Sequence, residues 1–511
     1  MKINKCRSCK NSDLSFAFNL GNQYLTGVFP RRKNEKISKG NLSLVFCKKC
    51  KLLQLENSFN SEEMYGDNYG YMSSLNKSMF NHLKYKVKKL LRKVSLKSND
   101  MVIDIGSNDG TFLSFFSKKL NLVGVDPTIK KFARFYRKDI KKFSNFFSYE
   151  FLKNKITTKA KLITSIAMFY DLEDPIKFAK DVNALLERNG IWHLELSYMP
   201  SMLKNFSYDT ICHEHLEYYS LTSIKYILDK SNFKIIDIEF NEINGGSFAL
   251  TVAKKDSVHK EEKKIVSWLL AKEKLLKVNE LRTFKEFFKK CEKQKKILRN
   301  LLLNLKNSGK KVYGYGASTK GNVILQFCKI DSKLIKNIGE VNPYKYNSFT
   351  PGTKIKIISE SNLRKLKPDY FVHGDDWKNG VQKHARAKVI KTLKKYSGKL
   401  IEPKYTKNIS STIIKNKILE IGASPQNRVS RLKRMFYSKN IVRILESHNS
   451  LTGLIIENLR LNNKNKIIEF DGMWSSSLTD SATKGKPDNS SLDFSARISS
   501  LNDMMDVTSK P

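Results

Sequence analysis

The stretch MVIDIGSNDGTFLSFFSKKLNLVGVDPT, residues 101–128, decides how this chain folds. Met101–Ile105 is a short apolar run, which suits a strand buried on both faces of a parallel sheet. Gly106, Ser107, Asn108, Asp109 and Gly110 form a turn, and Thr111–Lys118 reads as the following helix. Leu122–Val125 is a second strand, ended by Asp126. Strand, glycine turn, helix and strand in that order predict an α/β fold, with a binding crevice at the strands' carboxyl ends. The turn departs from the G-x-G-x-x-G that lets backbone approach a pyrophosphate. Asp104 and Asp126 flank it instead. A carboxylate at the turn repels a diphosphate and suits an ammonium group, and one after the second strand can accept both hydroxyls of a ribose.

This arrangement resembles the S-adenosylmethionine site of the Rossmann-like methyltransferases. The resemblance implies that Asp104, Gly106, Asn108, Gly110 and Asp126 hold that cofactor. Upstream, residues 78–98 carry apolar residues at helical spacing and lysines elsewhere, an amphipathic helix. Nearer the N-terminus stand two pairs, Cys6-x-x-Cys9 and Cys47-x-x-Cys50. Two such turns supply the four thiolates of a closed tetrahedral zinc site, whose role is structural because no position stays open for a substrate.

Composition bounds the rest. The chain has 511 residues, 40% of them hydrophobic, which is material for several cores. Seven cysteines are too few for a disulfide scaffold. No apolar run reaches the roughly 20 residues of a membrane span, and MKINKCRSCK lacks the apolar centre of a signal peptide. The expectation is a cytoplasmic protein without a membrane partner. Lys+Arg number 94 against 49 Asp+Glu, a formal +45. That excess raises a nucleic-acid-binding protein as an alternative. It is mostly lysine and spread along the whole chain, which favours general attraction to anions, phosphate-bearing small molecules included, over a dedicated nucleic-acid site.

Downstream, DTICHEHLEYYS (209–220) is the densest reactive cluster, with His213, Glu214 and His215 in a row. Two histidines two residues apart share one face of an extended segment. GYGASTKGN (314–322) reads as a second glycine turn, after a strand Lys311–Tyr313 and before a helix whose N-terminus suits phosphate. Between them, residues 258–308 are charge-dense with helical apolar spacing, and read as long helices linking the two sheets.

Taken with YGDNYGYMSS (65–74), NGGSF (244–248) and VNPYKYNSFTPGTKI (341–355), these segments make residues 1–370 similar to the sugar C-methyltransferase family. That family methylates a carbon of a nucleotide-linked deoxyketosugar. The resemblance implies a zinc-binding module at 1–60 and an S-adenosylmethionine-dependent methyltransferase domain at 61–255. It implies a second Rossmann-like domain at 256–370, which helps bind the sugar nucleotide. His215 would be the base, Glu214 would orient or polarise, His213 would help hold the substrate, and Tyr71 matches a tyrosine of the active-site entrance. Cys212 stands where the family often has tyrosine. Gly314, Gly316, Lys320 and Asn322 fall at the diphosphate turn. The oligomeric state, monomer or homo-oligomer, is open.

The tail differs. Residues 371–427 resemble the end of a cytidylyltransferase-type nucleotidyltransferase, and 428–511 the first part of phosphoenolpyruvate mutase, two proteins that occur fused in phosphonate biosynthesis. Trp474, Ser476, Leu478 and Asp488 match positions of the mutase pocket. Its magnesium-binding aspartates would lie on a further strand, so the tail is expected to be two incomplete α/β pieces and the mutase reading an alternative lacking its metal site. A junction between two coding sequences, natural or an artefact of sequence assembly, is expected within LRKLKPDYFVHGDDW (363–377).

Overall fold

The computed structural model describes residues 2–65, 69, 71–241, 243–378, 383–403, 425–439, 441–463, 466–487 and 493–510. Three sheets build the part that matters for function. The first joins β1 (Leu14–Tyr24), β2 (Lys39–Cys47) and β3 (Leu53–Leu55) as antiparallel neighbours. The second has seven strands: β4 (Met101–Ile105), β5 (Asn121–Val125), β6 (Lys141–Phe143), β7 (Ala160–Ile166), β8 (Leu186–Ser197), β10 (Phe233–Asn241) and β11 (Ser247–Lys254). Between β8 and β10 the chain makes the short strand β9 (Glu217–Tyr218), which leaves the large sheet and pairs with β3 of the first.

The seven-stranded order is β10-β11-β8-β7-β4-β5-β6. β11 alone runs against its neighbours; the other pairings are parallel. This is a Rossmann-like methyltransferase sheet. From β4 the chain winds outward through β5 and β6, then returns to the other side of β4 as β7 and β8. The order therefore reverses beside β4, and side chains at the carboxyl ends of β4, β5 and β7 face one crevice. All five residues of β4 are buried, as its apolar run requires.

The amphipathic helix runs over Lys77–Leu90, shorter than expected, with Asn76 capping it by accepting from the Ser78 and Met79 N–H groups. Its buried face contains a lysine. Lys86 pairs with Glu195 at 2.8 Å and Glu239 at 3.2 Å, and His82 reaches Glu195 at 2.6 Å. Charge pairing across the sheet thus admits a cation to a stripe that periodicity assigns to apolar groups. The helix after β4 is one turn, Thr111–Ser114, instead of reaching Lys118.

The third sheet is parallel and ordered β12 (Gly314–Tyr315), β13 (Asn337–Glu340), β14 (Lys356–Ser359). The expected strand Lys311–Tyr313 falls later in the chain, because Gly314 and Tyr315 pair with Ile338 and Gly339. Two helices, Lys263–Leu275 and Leu281–Asn307, lead to it as the apolar spacing predicted. Phe284, Phe287 and Cys291 of the second are buried, and Phe46 and Phe18 of the first sheet pack on them at 5.2 and 5.6 Å between ring centres. One apolar core is thereby shared by the first and third sheets.

The tail makes small two-stranded sheets. Trp474 is 63% and Leu478 59% exposed, and Ser476 precedes the helix Ser477–Thr483 without capping it. These three residues therefore do not line an enclosed pocket, because too few strands are present to close a barrel around them. Asp488 lies outside the described residues. An ion pair of Arg92 with Glu469 at 2.8 Å ties the tail to the large sheet's outer helix. Limited proteolysis is expected to cut first between about residues 405 and 430 and to leave a resistant N-terminal product. A tail as resistant as the rest would contradict this.

Candidate functional site

A cleft of about 190 Å³ opens at the carboxyl ends of β4, β5 and β7. Asp104, Gly106, Asn108 and Asp126 line it, together with Met168 and Asp171 from the loop after β7. Gly106 has φ +75°, and a Cβ there would come within 2.8 Å of Met168, so no other residue fits the turn without displacement. The Asp126 carboxylate accepts from the Asn108 N–H at 2.9 Å and the Thr128 N–H at 2.7 Å, which fixes its orientation and leaves lone pairs toward the cleft. Asp104 accepts from Thr164 at 2.6 Å, and burial raises its pKa to about 7. The residues present thus fit S-adenosylmethionine: carboxyl groups for its ammonium and ribose ends, with apolar walls between them.

Two expected cofactor residues have other contacts. Asn108 touches the cleft, but its side chain binds the Ser73 N–H at 3.0 Å and the Tyr71 carbonyl at 3.3 Å. Asp109 likewise accepts from the Ser74 N–H at 2.9 Å. The glycine turn therefore holds Tyr71–Ser74 across the opening, and Tyr71 lines it. Gly110 is not part of the lining. At φ +75° its would-be Cβ lies 2.6 Å from the Tyr136 ring, so a close aromatic contact demands the glycine.

His213 and His215 face opposite ways, a correction to the shared face expected of an extended segment. The chain turns at Cys212–His215, where the His215 N–H donates to the Cys212 carbonyl at 3.2 Å. His213 is buried against the first sheet, near the Gln23 carbonyl at 3.2 Å and edge-on to Phe59 at 4.6 Å. It packs one module on another and is removed from the cleft. His215 contacts Tyr170 at 4.4 Å between ring centres, and its Nδ1 lies 2.7 Å from the Thr210 carbonyl. A carbonyl only accepts, so Nδ1 carries the proton and Nε2 is the basic nitrogen. Burial lowers the His215 pKa to about 4, which keeps the ring neutral at pH 7. Within residues 211–220, His215 alone is not fully buried.

Glu214 reaches back to the first sheet. Its Oε2 is 3.5 Å from the Thr26 hydroxyl, and the Gly27 N–H also donates to the carboxylate. A Cβ on Gly27 would lie 2.1 Å from Glu214 Oε1. Burial raises the carboxyl's pKa, and Cys212, itself 1% exposed, bonds to it. Asn322 is buried too. Its Nδ2 donates to the Thr26 carbonyl at 2.8 Å, so it clamps the first sheet to the third rather than facing a ligand. Gly314 packs on Ile338, whereas Gly316 at φ +88° has open space beside it. Lys320, on the helix Thr319–Phe327, donates to the Asn244 carbonyl at 2.8 Å and lies close enough to influence both Asp209 and His215.

The four cysteines gather at the far end of the first sheet, their sulfurs within 4.8 Å of one another. Cys6 and Cys50 are 3.5 Å apart, and Cys9 and Cys47 are 3.4 Å apart. Sulfurs about 2.3 Å from a zinc ion form a tetrahedron with edges of about 3.8 Å, so the set fits that ion. Both turns share one geometry. The Lys10 N–H donates to the Cys6 carbonyl at 3.0 Å and the Lys51 N–H to that of Cys47 at 2.9 Å, with Lys10 and Lys51 at φ 58° and 61°.

Residues that motif reading missed are Tyr65, Tyr170 and Asp171. Tyr65 opens the segment 65–74 without being singled out there, and nothing in the local sequence marks Tyr170 or Asp171; only the path of the chain brings Tyr65 to Asp171 and Tyr170 to His215.

Comparison with known proteins agrees with this architecture. Residues 6–65 match a zinc binding domain, 79–238 a methyltransferase domain and 242–373 a C-methyltransferase C-terminal domain. The C-methyltransferase NovU of Streptomyces niveus is 28% identical over 376 residues, covering 72% of this chain and 89% of that protein. Among solved structures, the plantazolicin methyltransferase BpumL with S-adenosylhomocysteine is 14% identical (35% of this chain, 86% of that one, TM-score 0.28). A methyltransferase from Clostridium acetobutylicum is also 14% identical (34% and 89%, TM-score 0.26). With the three domains in order over residues 6–373, four thiolates set for zinc and a methyltransferase sheet between them, the chain is an S-adenosylmethionine-dependent C-methyltransferase.

Proposed function

We propose that this enzyme methylates a carbon beside the keto group of a nucleotide-linked sugar, with His215 as the base. The observation that carries the reading is the His215 ring: neutral, with Nδ1 held by the Thr210 carbonyl and Nε2 left as acceptor. Asp104, Gly106 and Asp126 hold the cofactor, which supplies an electrophilic methyl group. Tyr71, on the Tyr71–Ser74 segment, shields the cleft from water. His215 Nε2 takes the proton from the carbon beside the ketone. The electron pair left on that carbon forms the new carbon–methyl bond as the sulfur–methyl bond breaks, and S-adenosylhomocysteine leaves. Glu214, fixed by Thr26 and Gly27, shapes the wall beside His215. Lys320, a cation at a helix start, and the open space beside Gly316 suit the substrate's diphosphate.

The test is methyl transfer to a panel of nucleotide-linked 4-ketosugars, read by mass spectrometry. Transfer to carbon in at least one member, absent with the free sugar, is the expected result. Failure across the panel with an enzyme that binds S-adenosylhomocysteine would reject the substrate class.

A further inference from the structure

Most carboxyl and amide groups lining the cleft have protein partners: Asp104 has Thr164, Asp126 has Asn108 and Thr128, and Asn108 has Ser73 and Tyr71. Asp171 is different. The Tyr65 hydroxyl donates to its Oδ2 at 3.1 Å, while Oδ1 is enclosed and has no hydrogen-bond partner among the described residues. An enclosed oxygen without a partner is destabilising, so such an atom is a candidate contact for a ligand. Both Asp171 and Tyr65 line the cleft. Asp171 also follows Tyr170, the residue whose ring packs on His215, so the loop after β7 touches both the cleft and the base.

We propose that Asp171, oriented by Tyr65, contacts the acceptor and grips an oxygen next to the carbon that receives the methyl group. This rests on the substrate reading given above. The cofactor-facing carboxyls, Asp104 and Asp126, belong to β4 and the end of β5; Asp171 lines the same cleft but follows β7, which lies on the opposite side of β4 from β5. Burial and the nearby Glu214 hold the Asp171 carboxyl well above the ordinary range, which favours its protonated form. A carboxylic acid donates to a keto oxygen, and the hydrogen bond strengthens as negative charge develops there when the neighbouring carbon loses its proton. A carboxylate would repel the same charge. The acid's proton stays on Asp171 throughout; the proton that leaves the carbon goes to His215.

Asparagine keeps the shape, accepts from Tyr65 and still donates, so it separates this role from one that needs charge. On a panel member that the unaltered enzyme methylates, Asp171→Asn is expected to stay within about 5-fold of the unaltered kcat/KM. Asp171→Ala is expected to lose roughly 10- to 100-fold, with S-adenosylhomocysteine binding unchanged. Tyr65→Phe, which leaves the carboxyl in place but unoriented, should fall between them and serves if the alanine variant does not fold. Alanine and phenylalanine variants within 2-fold of the unaltered enzyme would overturn the proposal. So would an asparagine variant as impaired as alanine. An unaltered enzyme inactive on the whole panel would instead reject the substrate class, and this proposal with it.

Discussion

Replacing His215 by asparagine is expected to lower methyl transfer by roughly 100- to 10,000-fold while leaving S-adenosylhomocysteine binding near normal. The asparagine amide can donate to the Thr210 carbonyl as Nδ1 does, at a site where that bond is 2.7 Å, so the Cys212–His215 turn should survive. What disappears is Nε2, the one basic atom of the motif that is not sealed in the core. The cofactor cleft is lined by other residues, so its affinity should not change. Turnover and calorimetric binding on the same preparation check both halves; turnover like the unaltered enzyme's would remove His215 from the reaction. The pH profile adds a second reading. An ordinary histidine near 6.5 would be about one-quarter neutral at pH 6, a four-fold loss. With burial lowering the group to about 4, the neutral form dominates at pH 6 and 8 alike. With the cofactor saturating, so that Asp104 at about 7 does not limit binding, His215 should therefore contribute no inflection near 6.5 and lose its basic form only as pH drops toward 4.

Removing zinc should have the largest effect on the molecule as a whole. Cys6, Cys47 and Cys50 belong to one buried cluster with Leu221 and Ile224, which follow the catalytic segment. Without the ion, four mutually close thiols lose the charge that holds them together, and the two matched turns lose their reason to close. The first sheet and the turn after β1 carry Gln23, Thr26 and Gly27, the residues that seat His213 and Glu214. A chelated protein, or Cys50→Ser, is therefore expected to lose more than about 10 °C in Tm along with methyl transfer. Metal content, melting and turnover measured together test this; full activity and an unchanged Tm without zinc would contradict it. Gly27→Ala separates positioning from collapse. Its Cβ would meet Glu214 Oε1 at 2.1 Å, so the carboxylate must move. That variant should keep its zinc and lose turnover.

Local signals in the chain carried much of this. Apolar runs marked β4 and β5, because a strand buried on both faces tolerates little else. The two Cys-x-x-Cys turns declared their ion, because thiolates at that spacing can face one point. Helical periodicity marked Lys263–Leu275 and Leu281–Asn307. What these signals do not carry is direction across the molecule. The expectation that His213 and His215 share a face assumed an extended segment, whereas the chain turns there. Asn322 and Gly110 looked like ligand residues because they stand in glycine-rich turns, yet one clamps two modules and the other admits an aromatic ring.

By itself, then, the sequence determined the α/β class, the zinc set, the cofactor crevice and the histidine motif from which the base is proposed. Backbone periodicity, turn chemistry and short thiol spacing are local properties, legible without knowing where the chain goes next. Only the tertiary structure decided which histidine of the motif stays partly exposed, that Thr26 holds Glu214 from 188 residues away, and that Tyr65 meets Asp171 across 106. Those contacts arise where β9 leaves the large sheet to pair with β3, so the catalytic segment is packed from both sides by modules distant in sequence. No local pattern encodes such a meeting, because its partners share neither a helix face nor a strand.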